Sequence, residues 1–281
     1  MGTVTGARSH QLAGEGVTVH CVEWGERDAM PVVLLHGLRA YGYWFEEFGE
    51  VAGSRYRVIA PDVRGRGESG WASDGAYTTD AYVGDLERLV GHLGLRRFAL
   101  GGHSLGGVIA ANYAARHADQ IAALLILEMS PEAHPAGLER IKRELAETPA
   151  QFASWDKARA FLRRLHPRAS ARNLETRLRR MLKETAAGSI GWRLDPAILN
   201  PSRTPDPPSR TWTALEAVRC PTLVVRGALS DILMRDMCEQ MVKRVPGSRW
   251  VEIPDAAHMV LEDNPAACAA AMLEFLATVP A

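Results

Sequence analysis

The 281-residue chain is short of several things that would mark a specialised protein. It lacks net charge, with 33 Lys and Arg against 33 Asp and Glu. That balance argues against a nucleic-acid binder, whose phosphate-facing surface needs a basic excess. Long apolar runs are missing too. Runs such as Ile121–Leu127 fall far below the roughly 20 residues that span a bilayer. Met1 to Arg8 holds no apolar segment of the kind a secretory signal needs, and Gly at position 6 breaks the myristoylation pattern. Cysteine is scarce. Cys21, Cys220, Cys238 and Cys268 form no CxxC pair and no metal-ligand spacing, so reduced thiols in a cytoplasmic protein are expected. Neither an internal repeat nor a low-complexity tract is visible, and 47% apolar residues exclude a disordered or fibrous chain.

What is present is alternation. Val17–Trp24, Val32–Leu35, Arg57–Ala60, Phe98–Leu100 and Ala122–Leu127 read as strands. Tyr43–Val51, Thr79–Leu93 and Gly106–Arg116 read as the helices between them. Short, wholly apolar strands such as Val32–Leu35 suit a parallel sheet buried on both faces. The pattern stops at Ser130-Pro131. From there to Trp212 the sequence shows no buried strand, only polar helical stretches over Gly137–Glu147, Trp155–Leu165 and Ala171–Ala187. Five prolines between 196 and 208 then form a stiff return. Alternation resumes with a strand at Pro221–Arg226, a helix at Arg235–Val245, a strand at Arg249–Ile253 and a helix at Pro265–Ala277. The expected organisation is an α/β core, 1–130 and 213–281, carrying an insertion over 131–212. The insertion holds 16 basic and 9 acidic residues, a net of +7, against 17 and 24 in the remainder, a net of −7.

The sharpest signal is Gly102-His103-Ser104-Leu105-Gly106, followed by Gly107, between a short strand and an Ala-rich helix. A serine on so tight a strand-to-helix turn needs residues without side chains two positions either side. Its hydroxyl becomes a competent nucleophile only when a histidine takes its proton and a carboxylate fixes that histidine. His258, after a strand and before the last helix, fits the base. Asp231, directly after the strand that ends at Arg226, fits the acid, and the order Ser104, Asp231, His258 is the one this turn expects. All three stand at strand carboxyl ends, where such sheets bind ligands. Attack would create an oxyanion, and the backbone N–H groups of Leu38, after His36-Gly37, and of Leu105 are its candidate donors.

On these stretches, with Asp62-Val63-Arg64-Gly65-Arg66-Gly67-Glu68-Ser69, Gly227–Asp231 and His258–Pro265, the chain resembles the α/β-hydrolase family over nearly its whole length. The resemblance implies a core sheet of about eight mostly parallel strands, with a helical cap inserted after the sixth. It implies no cofactor and no metal. Epoxide hydrolases and haloalkane dehalogenases of this fold carry an aspartate nucleophile, whereas position 104 is serine. Hydrolases of meta-cleavage products usually carry Trp after the catalytic histidine, whereas Met259 stands here. The resemblance also suggests that Asp62 and Arg64 brace loops, and offers Glu128, at the end of a strand, as an alternative acid to Asp231.

Arg39, after the oxyanion loop, is a candidate for a substrate carboxylate or for an ion pair with the cap. Trp44, Met129, Trp192 and Met259 are candidate pocket walls, alongside Tyr43, Phe45 and Trp155; His36 and His103 are expected to be structural. The expected activity is hydrolysis of a carboxylic ester or lactone through an acyl-enzyme on Ser104, with a small and in one option anionic substrate. Carbon–carbon hydrolysis, acyl transfer and a ligand receptor on the same fold are the alternatives. A monomer or homodimer without nucleic acid or membrane span is expected.

Overall fold

The computed structural model describes residues 6–13, 16–199 and 206–279. The opening residues Met1–Thr5 and the prolines at 201 and 205 therefore lie outside the described residues. The strands are β1 (Arg8–Leu12), β2 (Val19–Trp24), β3 (Met30–Leu35), β4 (Tyr56–Pro61), β5 (Phe98–His103), β6 (Ile121–Leu127), β7 (Gln151–Phe152), β8 (Leu182–Glu184), β9 (Ile190–Trp192), β10 (Thr222–Gly227) and β11 (Ser248–Ile253). The helices are α1 (Glu46–Ala52), α2 (Thr79–His92), α3 (Leu105–Arg116), α4 (Pro135–Ala146), α5 (Trp155–Leu165), α6 (Ala171–Met181), α7 (Pro208–Ala217), α8 (Arg235–Arg244), α9 (Val260–Asp263) and α10 (Pro265–Leu276).

Eight strands form one sheet in the order β1-β2-β4-β3-β5-β6-β10-β11. β2 alone runs against the rest, being antiparallel to both β1 and β4, while β4, β3, β5, β6, β10 and β11 pair in parallel. The central strands β5, β6 and β10 are buried along their whole length, which is why their sequences run apolar without alternation. α2 packs a stripe of Tyr82, Val83, Leu86, Leu89 and Val90 inward, and Thr78 accepts from the Ala81 N–H at its start. The sheet order places the carboxyl ends of β3, β5, β6 and β10 side by side, and the strand-end loops meet there.

The stretch between β6 and β10 departs from the sequence expectation in its short strands and in α7. α6 stops at Met181, and Leu182 enters a hairpin rather than another helical turn. β7, β9 and β8 make a separate three-stranded antiparallel sheet. Leu182 continues the helical spacing of Leu174 and Leu178, so the apolar period hides the change. Gly188, at φ 77°, closes the turn, where the Thr185 N–H donates to the Ser189 carbonyl. α7 straddles position 212 and lies against α3 of the main sheet. All four cysteines are buried and unpaired. Among the described residues no helix is long and apolar enough to cross a membrane.

Candidate active site

β5 ends at His103 and α3 begins at Leu105, so Ser104 alone makes the turn, at φ 52° and ψ −116°. Only three described non-glycine residues have positive φ: Ser104, Glu128 and Asp255. Such geometry costs on the order of 1–3 kcal/mol and persists where the surroundings over-determine it. Here the surroundings are backbone. A Cβ on Gly102 would overlap Gly106, and one on Gly106 would overlap the Leu35 carbonyl. The Ser104 N–H is tied to the Leu127 carbonyl at 3.0 Å. Gly37 lies against the turn, since a Cβ there would stand 3.4 Å from Ser104 Cβ and 2.8 Å from His103 Nδ1. Leu38 follows this packed glycine, and the first N–H of α3, at Leu105 next to Ser104, has no partner within its helix.

His36 holds this loop. Its Nε2 accepts the Val63 N–H at 2.9 Å, and Nδ1–H donates to the Gly37 carbonyl at 2.8 Å. Complete burial pushes its pKa down to about 4, so the ring is neutral. Asp62 accepts from His20 at 2.7 Å, from the Gly42 N–H at 2.6 Å and from the Glu68 N–H at 2.9 Å. Arg64 grips Asp85 with two bonds of 2.5 and 2.6 Å. Both residues brace loops.

His258 Nδ1 meets Glu128 Oε2 at 3.1 Å, where the ring N–H donates to the carboxylate. Glu128 is fully buried at the end of β6, with φ 49°. Its Oε1 accepts the Gly227 N–H at 2.6 Å and its Oε2 the Ser230 hydroxyl at 2.7 Å. The structure thus puts Glu128, not Asp231, on the histidine ring. Asp231 is turned to the inserted segment, where Arg140 of α4 donates to both its oxygens at 2.6 and 2.8 Å. The Arg140 hydrogen bond holds the Asp231 carboxyl below its ordinary range. The physical reason lies in the loop after β10. Gly227 and Ser230 close around Glu128, and this closure leaves Asp231 at the rim within reach of α4.

His103 fastens the His258 loop to the end of β5: its Nε2–H donates to the His258 carbonyl at 2.8 Å. Its ring lies 4.5 Å from the ring of Trp44 and 4.7 Å from that of His258, centroid to centroid. Burial first, and then the charge of His258, push its pKa well below the usual histidine value. Of the candidate walls, Trp44 and Met129 are buried, Met129 packing on Gly107 behind the turn, and Met259 is half-buried ahead of α9. Trp192 lies in β9, away from this group, with its Nε1–H on the Pro149 carbonyl at 2.8 Å. Arg39 donates to Thr148 at 2.8 Å and to Glu144 at 3.4 Å, both in the inserted segment.

Two charged residues were missed by sequence reasoning. Arg177 of α6 is 1% exposed and donates to both oxygens of Glu262, at 2.8 Å each. Arg66 is buried and sends Nε–H to the Leu38 carbonyl at 3.1 Å. A wholly buried arginine has no signature in a basic, amphipathic stretch.

Comparison with known proteins gives a consistent picture. Residues 30–265 match the family model described as the alpha/beta hydrolase fold. A 3-hydroxybutyrate-oligomer hydrolase from Cupriavidus necator is 32% identical over 264 residues, covering 89% of each chain. A non-heme chloroperoxidase from Burkholderia pyrrocinia is 28% identical over 93% of this chain and 97% of its own. Among solved structures, an alpha/beta hydrolase from Novosphingobium aromaticivorans superposes with TM-score 0.82 at 30% identity, over 97% of this chain and 99% of the other.

Proposed function

Because the chain belongs to the alpha/beta hydrolase fold family and is a hydrolase of that fold, we propose that it cleaves carboxylic esters through an acyl-enzyme on Ser104. The observation that carries this reading is the Glu128–His258 bond on a loop that His103, the residue before the strained Ser104, ties down through the His258 carbonyl. With Nδ1–H committed to Glu128, the other nitrogen of neutral His258 is a free base. It takes the Ser104 proton as Oγ attacks the carbonyl carbon, then returns it to the departing alkoxide. The tetrahedral oxyanion is held by the Leu38 and Leu105 N–H groups, fixed before the substrate arrives. Water, deprotonated by the same histidine, frees the acid and restores Ser104.

In this reading Glu128 replaces Asp231 as the residue that orients the base, and Asp231 fastens a cap over 131–212. The Cupriavidus relative supports oligoesters of short hydroxyacids as the substrate class. The test is Ser104→Ala. It should abolish hydrolysis of p-nitrophenyl butyrate and of the linear 3-hydroxybutyrate dimer, together with labelling by a fluorophosphonate, while the circular dichroism spectrum is unchanged. Turnover retained by that variant removes the nucleophile assignment.

A further inference from the structure

At the edge of the main sheet stands a second chain of serine, histidine and carboxylate. β1 is the outermost strand and runs antiparallel to β2, with Ser9 opposite Val22. Alternate residues of a strand share a face, so Ser9 and His20 lie on the same side of this ribbon. Ser9 Oγ is 2.7 Å from His20 Nε2, and His20 Nδ1 is 2.7 Å from Asp62 Oδ2, just past the end of β4. Ser9 is exposed, whereas His20 and Asp62 are buried. In the sheet order β2, β4 and β3 separate β1 from β5, which leads into Ser104.

The direction of each bond follows from the carboxylate. Burial would raise the Asp62 pKa, but the His20 bond and the Glu68 and Gly42 N–H groups outweigh it and hold the carboxyl below its ordinary range. An ionised carboxylate only accepts, so His20 Nδ1 carries the ring hydrogen. Nε2 then offers a lone pair, and the Ser9 hydroxyl donates to it. Backbone bonds fix the ring and the carboxylate against each other. The His20 N–H donates to Ser69 Oγ at 2.9 Å, Ser69 Oγ donates to the Asp62 carbonyl at 2.6 Å, and the Asp62 N–H donates to the His20 carbonyl at 2.9 Å. A hydroxyl on a neutral imidazole whose far nitrogen is held by a carboxylate is the arrangement that makes serine nucleophilic. Bracing the loop after β4 uses the His20–Asp62 bond and does not require an exposed hydroxyl on the other nitrogen.

We propose that Ser9 is a second nucleophile, a self-acylation site that takes acyl groups from activated esters and thioesters, with His20 as its base and Asp62 orienting that base. Ser9 Oγ bonds to the acyl carbon as the bond from that carbon to the aryloxide or thiolate breaks. The Ser9 proton passes to His20 Nε2 and from there to the departing group, which leaves as a phenol or thiol. The product on Ser9 is an alkyl ester, less electrophilic than the donor that made it. The acyl group therefore stays, and the reaction is one transfer per chain without turnover.

The test treats the full-length Ser104→Ala protein with p-nitrophenyl acetate and locates the acetyl groups by peptide mass spectrometry over time. Ser54 is the internal control: it is also exposed, but its hydroxyl donates to the Val51 carbonyl at 3.3 Å instead of to a histidine. Acetyl should accumulate on Ser9 about a hundredfold faster than on Ser54, the lower end of what a positioned base supplies. Adding His20→Gln should bring Ser9 down to the rate of Ser54. Should that variant fail to fold, the Ser104→Ala protein in unfolding urea gives the answer, because there both serines should acetylate alike. Equal rates in the folded protein overturn the site. So does a Ser9 preference that survives in urea or in a folded His20→Gln variant.

Discussion

Ser104 and Glu128 directly follow adjacent strands, β5 and β6, and both adopt positive φ. Close backbone packing around the glycines holds the first of these turns, and the Glu128 side chain is held by Gly227, Ser230 and His258. The acid assignment separates cleanly by substitution. Glu128→Gln should lower kcat on p-nitrophenyl butyrate by about three to four orders of magnitude, through loss of the oriented tautomer. Asp231→Asn should leave kcat within about fivefold, since a rim carboxylate paired with arginine is worth little to the chemistry. The reverse ranking would return the role to Asp231. The turn that carries Ser104 and the loop that carries His258 were legible as positions, because the glycines and the strand ends constrain them sequentially. Which carboxylate meets the His258 ring was not, because Glu128 and Asp231 both follow strands and both precede His258 in the chain. Arg140 decides between them from a helix whose path no local pattern reveals.

At the scale of elements, α6 docks beside α9 through Arg177 and Glu262, buried at 1% and 3% side-chain exposure. Removing one partner strands a charge in low dielectric, so Arg177→Met should cost about 3–5 kcal/mol in urea unfolding. Arg177→Met combined with Glu262→Leu should recover most of that loss. A double variant no more stable than the single would mean that packing, not charge, dominates the contact. Apart from β1, the strands of the large sheet were readable because an alternating or unbroken apolar run persists over each, and α2 was readable because its apolar residues recur at helical spacing. The hairpin Leu182–Trp192 was unreadable for a particular reason: Leu182 fits the preceding helix by spacing, and only the turn at Gly188 betrays it.

Over the whole molecule, the +7 of residues 131–212 is spent largely against the −7 of the rest. Arg140–Asp231, Arg172–Glu50, Arg177–Glu262 and Arg180–Glu68 all cross between the two. The interior adds a pH dependence of its own. The folded-state pKa of His36 is about 4, against about 6.5 when unfolded, and that of His103 is also depressed. The unfolded chain therefore binds more protons, so stability is complete above about 6.5 and falls as pH drops toward 4, by about 3 kcal/mol from His36 alone. Urea midpoints measured between pH 7 and 4.5 should fall accordingly, and more shallowly in His36→Gln. A midpoint that stays constant over that range would contradict the buried neutral ring. Glu128 ends the last strand before the chain departs at Ser130-Pro131. If Glu128 is the acid, as proposed above, the reacting groups all stand on the ends of the main sheet's strands, and Asp231 with Arg140 only fastens the inserted segment to them. Under that proposal the inserted segment can be altered without touching the groups that react.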